Sequence, residues 1–176
     1  MRKLLLAPVA ISATLAVMQP SGIEPNTVQQ LKRVVPSATE FTPKGGNPPH
    51  FTAYVTEPRT GQRAVAGYAF WTTELEPLER GYDGPIKILV GMDTKGVLTG
   101  ILVAEHHEPY GNFSVDTPGF ARQFAGKDIR EPFKVGGDID AVSRATISVT
   151  SASRAVRNSA RRVARALLTP TGNERQ

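Results

Sequence analysis

The chain has no cysteine, which excludes disulfides, zinc–thiolate sites, iron–sulfur clusters, c-type haem attachment and thiol nucleophiles. Any redox role must rest on a group other than its own sulfur. Histidine is also scarce: His50, His106 and His107 are the three present. The adjacent pair in Glu105-His106-His107-Glu108-Pro109 would point to opposite faces of a strand, so the two cannot share a metal unless the chain bends there, and no metal site is expected. The one long apolar run, Leu4 to Met18, follows Met1-Arg2-Lys3 and precedes Gln19-Pro20-Ser21-Gly22. It falls short of the roughly 20 residues of a membrane span. It reads as a secretory signal or uncleaved N-terminal anchor over residues 1–22, giving a periplasmic protein or one anchored facing the periplasm.

With no internal repeat or second composition block, residues 23–176 are expected to form one domain, as a chain of 176 residues with 40% hydrophobic content permits. The net charge of +5 and pI near 9.7 suit an anionic partner without requiring one. Val28, Leu31, Val34 and Val35 recur at helical spacing before Pro36, so a short amphipathic helix is predicted there. Strands are predicted at 51–55 and 63–72.

A hairpin follows, with Asp93-Thr94-Lys95-Gly96 as its turn. Its strands put Ile86, Ile88, Val90 and Met92 on one face, joined by Val97, Thr99, Ile101 and Val103, and Leu89, Leu98, Leu102 and Ala104 on the other. Both faces are apolar, so both need covering. Thr117-Pro118 opens a helix that Gly126 stops. Over 148–168, Val149, Ala152, Val156, Ala160, Val163 and Leu167 form an apolar stripe, with Arg154, Arg157, Arg161 and Arg165 on a solvent face. The expected class is α+β, an antiparallel sheet with packed helices and a long C-terminal helix.

The segment Asp140-Ala141-Val142-Ser143-Arg144-Ala145-Thr146 leads into that helix. It carries more hydroxyls than capping needs. Free amides and the positive dipole end at a helix start favour a phosphate, and Ser143, Arg144 and Thr146 add donors and charge. The same residues also suit a plain cap and turn.

This segment closely resembles the attachment motif Asp-x-x-Ser/Thr-Gly-Ala-Thr/Ser of the FMN-binding domain family. The stretches "GYAFWTTE", "RGYDGPIKILVGMDTKGVLTGILVAEHHEPYG" and "FARQFAGKDI" extend the resemblance. They are similar to the periplasmic flavin domain of NosR/NirI-type respiration regulators, and to the Rnf G and sodium-translocating quinone reductase C subunits. The resemblance implies FMN, bound covalently through a phosphoester to Thr146 by a flavin transferase that uses FAD and magnesium, with Asp140 as part of the recognised motif. It makes Ser143, Arg144, Ala145 and Asp140 cofactor-binding residues, and it brings Glu108, His107 and the backbone near Tyr110 and Gly111 against the isoalloxazine. The stretch Glu105 to Pro109 also reads as a solvated strand end. Thr117-Pro118-Gly119 resembles a family segment near the flavin but is displaced along the chain. Arg144 replaces the family's usual glycine.

The implied role is an electron-transfer or redox-sensing module of a respiratory pathway without independent catalysis, since no nucleophile–base pair is visible. Its partners would be the transferase and a separate membrane or periplasmic redox protein. The alternatives are a basic nucleic-acid-binding protein or a flavin-free structural periplasmic protein. The first is disfavoured because the arginine helix carries no aromatic stacking residues and little base-reading chemistry.

Overall fold

The computed structural model describes residues 22–168. Apart from Gly22, the expected signal or anchor lies outside the described residues. Helix α1 spans Pro25–Val34, with its proline in the first turn, where the missing N–H has no intrahelical role. Five strands follow: β1 (Glu40–Phe41), β2 (Phe51–Thr56), β3 (Arg63–Trp71), β4 (Lys87–Asp93) and β5 (Leu98–Glu105). They form an antiparallel sheet in the order β1-β2-β3-β4-β5. A single turn, α2 (Thr72–Leu75), continues β3, and α3 (Pro118–Arg122) and α4 (Thr146–Leu167) complete the chain. The α+β class read from the sequence is the observed one.

Both faces of the sheet are covered. On one, Leu31 and Val34 of α1, with Val35 just beyond it, pack against Phe51, Ala53, Ala69, Trp71 and Leu89. On the other, Val149, Ala152, Val156, Ala160 and Val163 of α4 meet Phe70, Ile88, Val90 and Met92, with Phe120 and Phe124 closing the flank. Thr117 caps α3 by accepting the Phe120 N–H at 3.1 Å, and Gly126 adopts φ 85 beyond the helix.

The hairpin turn is as expected. Gly96 takes φ 85, and the Asp93 carboxylate accepts the amides of Lys95 at 2.8 Å and Val97 at 2.9 Å. The facing of β5 differs from the expected alternation. A register shift between Gly91 and Met92 pairs Met92 with Leu98 and Gly91 with Gly100. Leu98 therefore packs on the α4 side with Ile101, while Thr99 turns to the α1 side and donates to the Val34 carbonyl. One extra residue in a strand reverses the facing of those beyond it.

The arginine face also differs from expectation. Arg161 donates to the carbonyls of Ile129 at 2.6 Å and Glu131 at 2.9 Å, and Arg157 to that of Pro132 at 3.1 Å. Arg162 reaches Leu75 O, and Arg154 pairs with Glu79 at 3.3 Å. The loop 129–132 crosses α4 with its carbonyls turned to the helix, and the guanidinium fork satisfies several of them at once.

Candidate functional site

Helix α4 begins without a side-chain cap, because its N-cap is Ala145. The methyl of Ala145 is buried, so the chain enters the helix through an anchored residue with no hydroxyl. The Ala145 N–H donates to Val142 O at 3.1 Å, closing the turn Val142-Ser143-Arg144-Ala145. Arg144 sits in that turn at φ 68, one of two non-glycine residues with positive φ among the described residues. It holds the left-handed backbone that a glycine adopts freely. Beyond the turn the first helical bond runs from Val149 N–H to Ala145 O at 3.0 Å. The amides of Thr146, Ile147 and Ser148 have no acceptor among the described residues, as expected of a first turn left uncapped.

Those amides open onto a cleft of about 340 Å³. One wall is the run from Arg144 to Ser148; the others are Tyr82, from the loop after α2, and Pro109-Tyr110, from the segment after β5. Thr146, Arg144 and Ser143 are exposed. Ile147, Tyr82 and Tyr110 are exposed large apolar side chains, at 59%, 70% and 48%. The cleft thus joins a polar, positively biased floor, made by a helix start and a guanidinium, to aromatic and aliphatic walls. That is the amphipathic lining a planar ring with a phosphate tail requires, so these residues fit FMN.

Arg144, Ala145 and Thr146 thus line one cleft. Ser143 is exposed in the turn just before them, and Asp140 is exposed further back. The backbone of Asp140 is fixed by donation to Gln123 Oε1 at 2.6 Å. His107 is exposed, and neither it nor Glu108 lines the cleft. His106 turns inward: its Nδ1 accepts the Glu108 N–H at 3.0 Å, which leaves Nε2 to donate to Asp116 at 2.8 Å. The two neighbouring histidines thus have separate surroundings. Thr117 spends its hydroxyl on Ser114 O and the Phe120 amide.

The Glu108 carboxylate is buried, with 6% of the residue exposed. It accepts the amides of Tyr82 and Asp83, each at 3.0 Å, and the hydroxyl of Ser148. Neither Tyr82 nor Ser148 stands out in the sequence alone. Tyr82 lies inside the stretch "RGYDGP", and Ser148 reads as one hydroxyl among several.

The loop behind the motif is held by charge. Lys127 Nζ lies 2.9 Å from Glu131 and 3.1 Å from Asp138. Burial opposes the Lys127 charge, but the two carboxylates outweigh it and its pKa is raised. The hydrogen bond from Lys127 lowers that of Glu131. Burial opposes the Asp138 charge as well, yet the amides of Lys134 and Phe133 and the Lys127 ammonium lower its pKa overall. Asp128, hydrogen-bonded by the Arg130 side chain and backbone, is lowered to about 2.

A larger concavity, about 690 Å³, opens at the opposite end of α4 among Lys95, Arg130, Arg161 and Arg165. Arg161 is committed to backbone carbonyls and Arg130 to Asp128. It gathers neither an aromatic wall nor an exposed hydroxyl, so the chemistry favours the smaller cleft.

Comparison with known proteins bears on that cleft. Residues 81–161 match the family described as FMN-binding domain. The G component of the ion-translocating oxidoreductase complex of Haemophilus influenzae is 36% identical over 114 residues, covering 59% of this chain and 51% of that protein. The components of the same description from Vibrio vulnificus and Escherichia coli are 34% identical over 88 residues and 37% over 87, each covering 44% of this chain and 42% of the relative. The chain spans about half the length of the curated relatives it matches, or less. Every residue lining the cleft falls within the matched segment, and over that segment the chain is similar to the FMN-binding domain family.

Proposed function

We propose that this chain is an exported flavoprotein module that carries FMN through a phosphoester to Thr146 and passes or senses electrons in a respiratory pathway. The observation that carries the reading is the exposed Thr146 at the start of α4, beside a left-handed Arg144 and three unpartnered amides, inside a cleft with two tyrosines. A phosphodiester on Thr146 Oγ1 would lie against those amides and the Arg144 guanidinium, which together offset its charge. Tyr82, Tyr110 and Ile147 would flank the ring. Bound FMN supplies exchange of one or two electrons, and the chain supplies position and electrostatics.

Attachment by a flavin transferase balances with FAD as donor. The Oγ1–P bond forms, the P–O bond of the pyrophosphate breaks, AMP leaves and the hydroxyl proton is lost. The relatives are named as parts of an ion-translocating oxidoreductase complex, which supports a separate membrane redox protein as partner. The export reading rests on the basic start and apolar run of residues 1–22, and fractionation of the native chain into the cytoplasm would overturn it. Nucleic-acid binding is disfavoured because four of the five arginines of α4, Arg154, Arg157, Arg161 and Arg162, are engaged by backbone carbonyls or Glu79.

The test is co-production with a flavin transferase, followed by denaturation. The expected result is retained yellow absorbance, with an FMN mass increment on the peptide spanning Thr146 and on no peptide of Thr146→Ala. Flavin released on denaturation overturns the covalent link, and folded chain that never takes up flavin overturns the cofactor.

A further inference from the structure

Glu108 is a buried carboxylate on which three donors converge, two from the loop that carries Tyr82 and one from α4. The amides of Tyr82 and Asp83 belong to the loop after α2, and the Ser148 hydroxyl belongs to the first turn of α4. Gly81 lies so close that a β-carbon there would stand 2.3 Å from Glu108 Oε1, so the loop is pressed onto the carboxylate. Both Tyr82 and Ser148 line the cleft. A negative charge is therefore fixed one side chain behind the cleft wall, and the same group ties that wall to its neighbour.

We infer that Glu108 is a positioning residue that latches the Tyr82 loop to α4 and, through its fixed charge, holds the potential of a flavin in this cleft low. The inference rests on the flavin reading above. A carboxylate can accept both amides and the hydroxyl, whereas a glutamine has one acceptor oxygen and would turn N–H groups toward an N–H. Reduction adds electrons to the ring, and a nearby negative charge in a poorly solvated wall opposes it. The Ser148 hydroxyl, by donating to the carboxylate, draws off part of that charge. Both variants loosen the latch but move the charge in opposite directions: Glu108→Gln removes it, and Ser148→Ala bares it.

The experiment has two readouts. In flavin-free chain, amide exchange at Tyr82 and Asp83 should quicken roughly tenfold or more in Glu108→Gln, as expected for losing hydrogen bonds to a charged group, and unchanged exchange overturns the latch. In flavin-loaded protein the midpoint potential should shift positive in Glu108→Gln and negative in Ser148→Ala. A merely structural role would move both variants the same way or neither, and either result overturns the electrostatic assignment. If Glu108→Gln does not fold, Ser148→Ala decides alone: a negative shift supports the assignment and no shift overturns it. A wild-type chain without flavin overturns the reading beneath it and the electrostatic half with it, while the exchange result still decides the latch.

Discussion

Arg144 and Thr146 line one cleft from either side of the buried Ala145, the first at φ 68 and the second opening α4. The turn that aims Thr146 into the cleft thus places an arginine where the backbone suits glycine. A left-handed backbone costs a residue with a β-carbon roughly 1–2 kcal/mol, against roughly 0.5–1 kcal/mol of extra chain entropy for glycine. Arg144→Gly should therefore be more stable by up to about 1.5 kcal/mol, seen as a higher midpoint in thermal or urea unfolding. It should still accept flavin, because the amides of α4 remain. A clear loss of stability would mean that the arginine side chain carries more than its backbone loses.

Thr146→Ala should leave the fold nearly untouched. The residue is exposed and α4 is capped by Ala145 without a side-chain hydrogen bond, so removing the hydroxyl deletes no cap. A change within about 0.5 kcal/mol is expected, as for surface substitutions away from special features. Urea unfolding of the flavin-free chain checks this; a loss near the 1–2 kcal/mol of a true cap would show that the hydroxyl holds the helix start.

Much of this architecture could be read from residue patterns, because its causes are local. The helix before Pro36, the Asp93-Thr94-Lys95-Gly96 turn, the Thr117 cap and the α4 stripe each rest on residues a few positions apart. What escaped depends on residues distant in sequence. The register shift at Gly91 and Met92 reverses Leu98 and Thr99 through pairing with another strand. Arg161 meets carbonyls 30 and 32 residues away, and nothing in the alternation of α4 distinguishes it from Arg165. Glu108 and Ser148 are brought together by the return of α4 across the sheet. In the segment before α4, the resemblance to the FMN-binding domain family singled out Thr146 and Arg144, whereas the cleft wall at Tyr82 is formed only by the fold.

Acid should loosen the loop around Lys127 before alkali does. Glu131 and Asp138 lie below their ordinary values of 4.5 and 3.8, and Asp128 lies at about 2. Folded protein therefore binds fewer protons than unfolded chain in this range, and its stability falls as pH drops from about 4.5 toward about 2. Lys127 is raised above 10.5, so its contribution is complete below that value and fades only as pH rises past it. Lys127→Met should flatten the acid limb of a plot of urea midpoint against pH. Parallel limbs in wild type and variant would show that the network does not set the acid response.

The arginines of α4 should divide into clamps and surface residues. Arg161 is half-buried and donates to the carbonyls of Ile129 and Glu131 at 2.6 and 2.9 Å, whereas Arg165 is exposed. Removing the guanidinium leaves backbone carbonyls of a part-buried loop without their donors. Hydrogen bonds to charged groups contribute roughly 1.5–3 kcal/mol. Arg161→Met, which keeps the aliphatic stem, should therefore lose about 2 kcal/mol, and Arg165→Met less than about 0.5 kcal/mol. Urea unfolding of the two variants measures the difference, and amide exchange should rise across 129–132 in Arg161→Met alone. Equal, small losses would mean that the loop carbonyls find water once the clamp is gone. If both variants kept full stability while a basic-surface activity fell, such as duplex binding in near-physiological salt, the arginines would belong to a partner face instead.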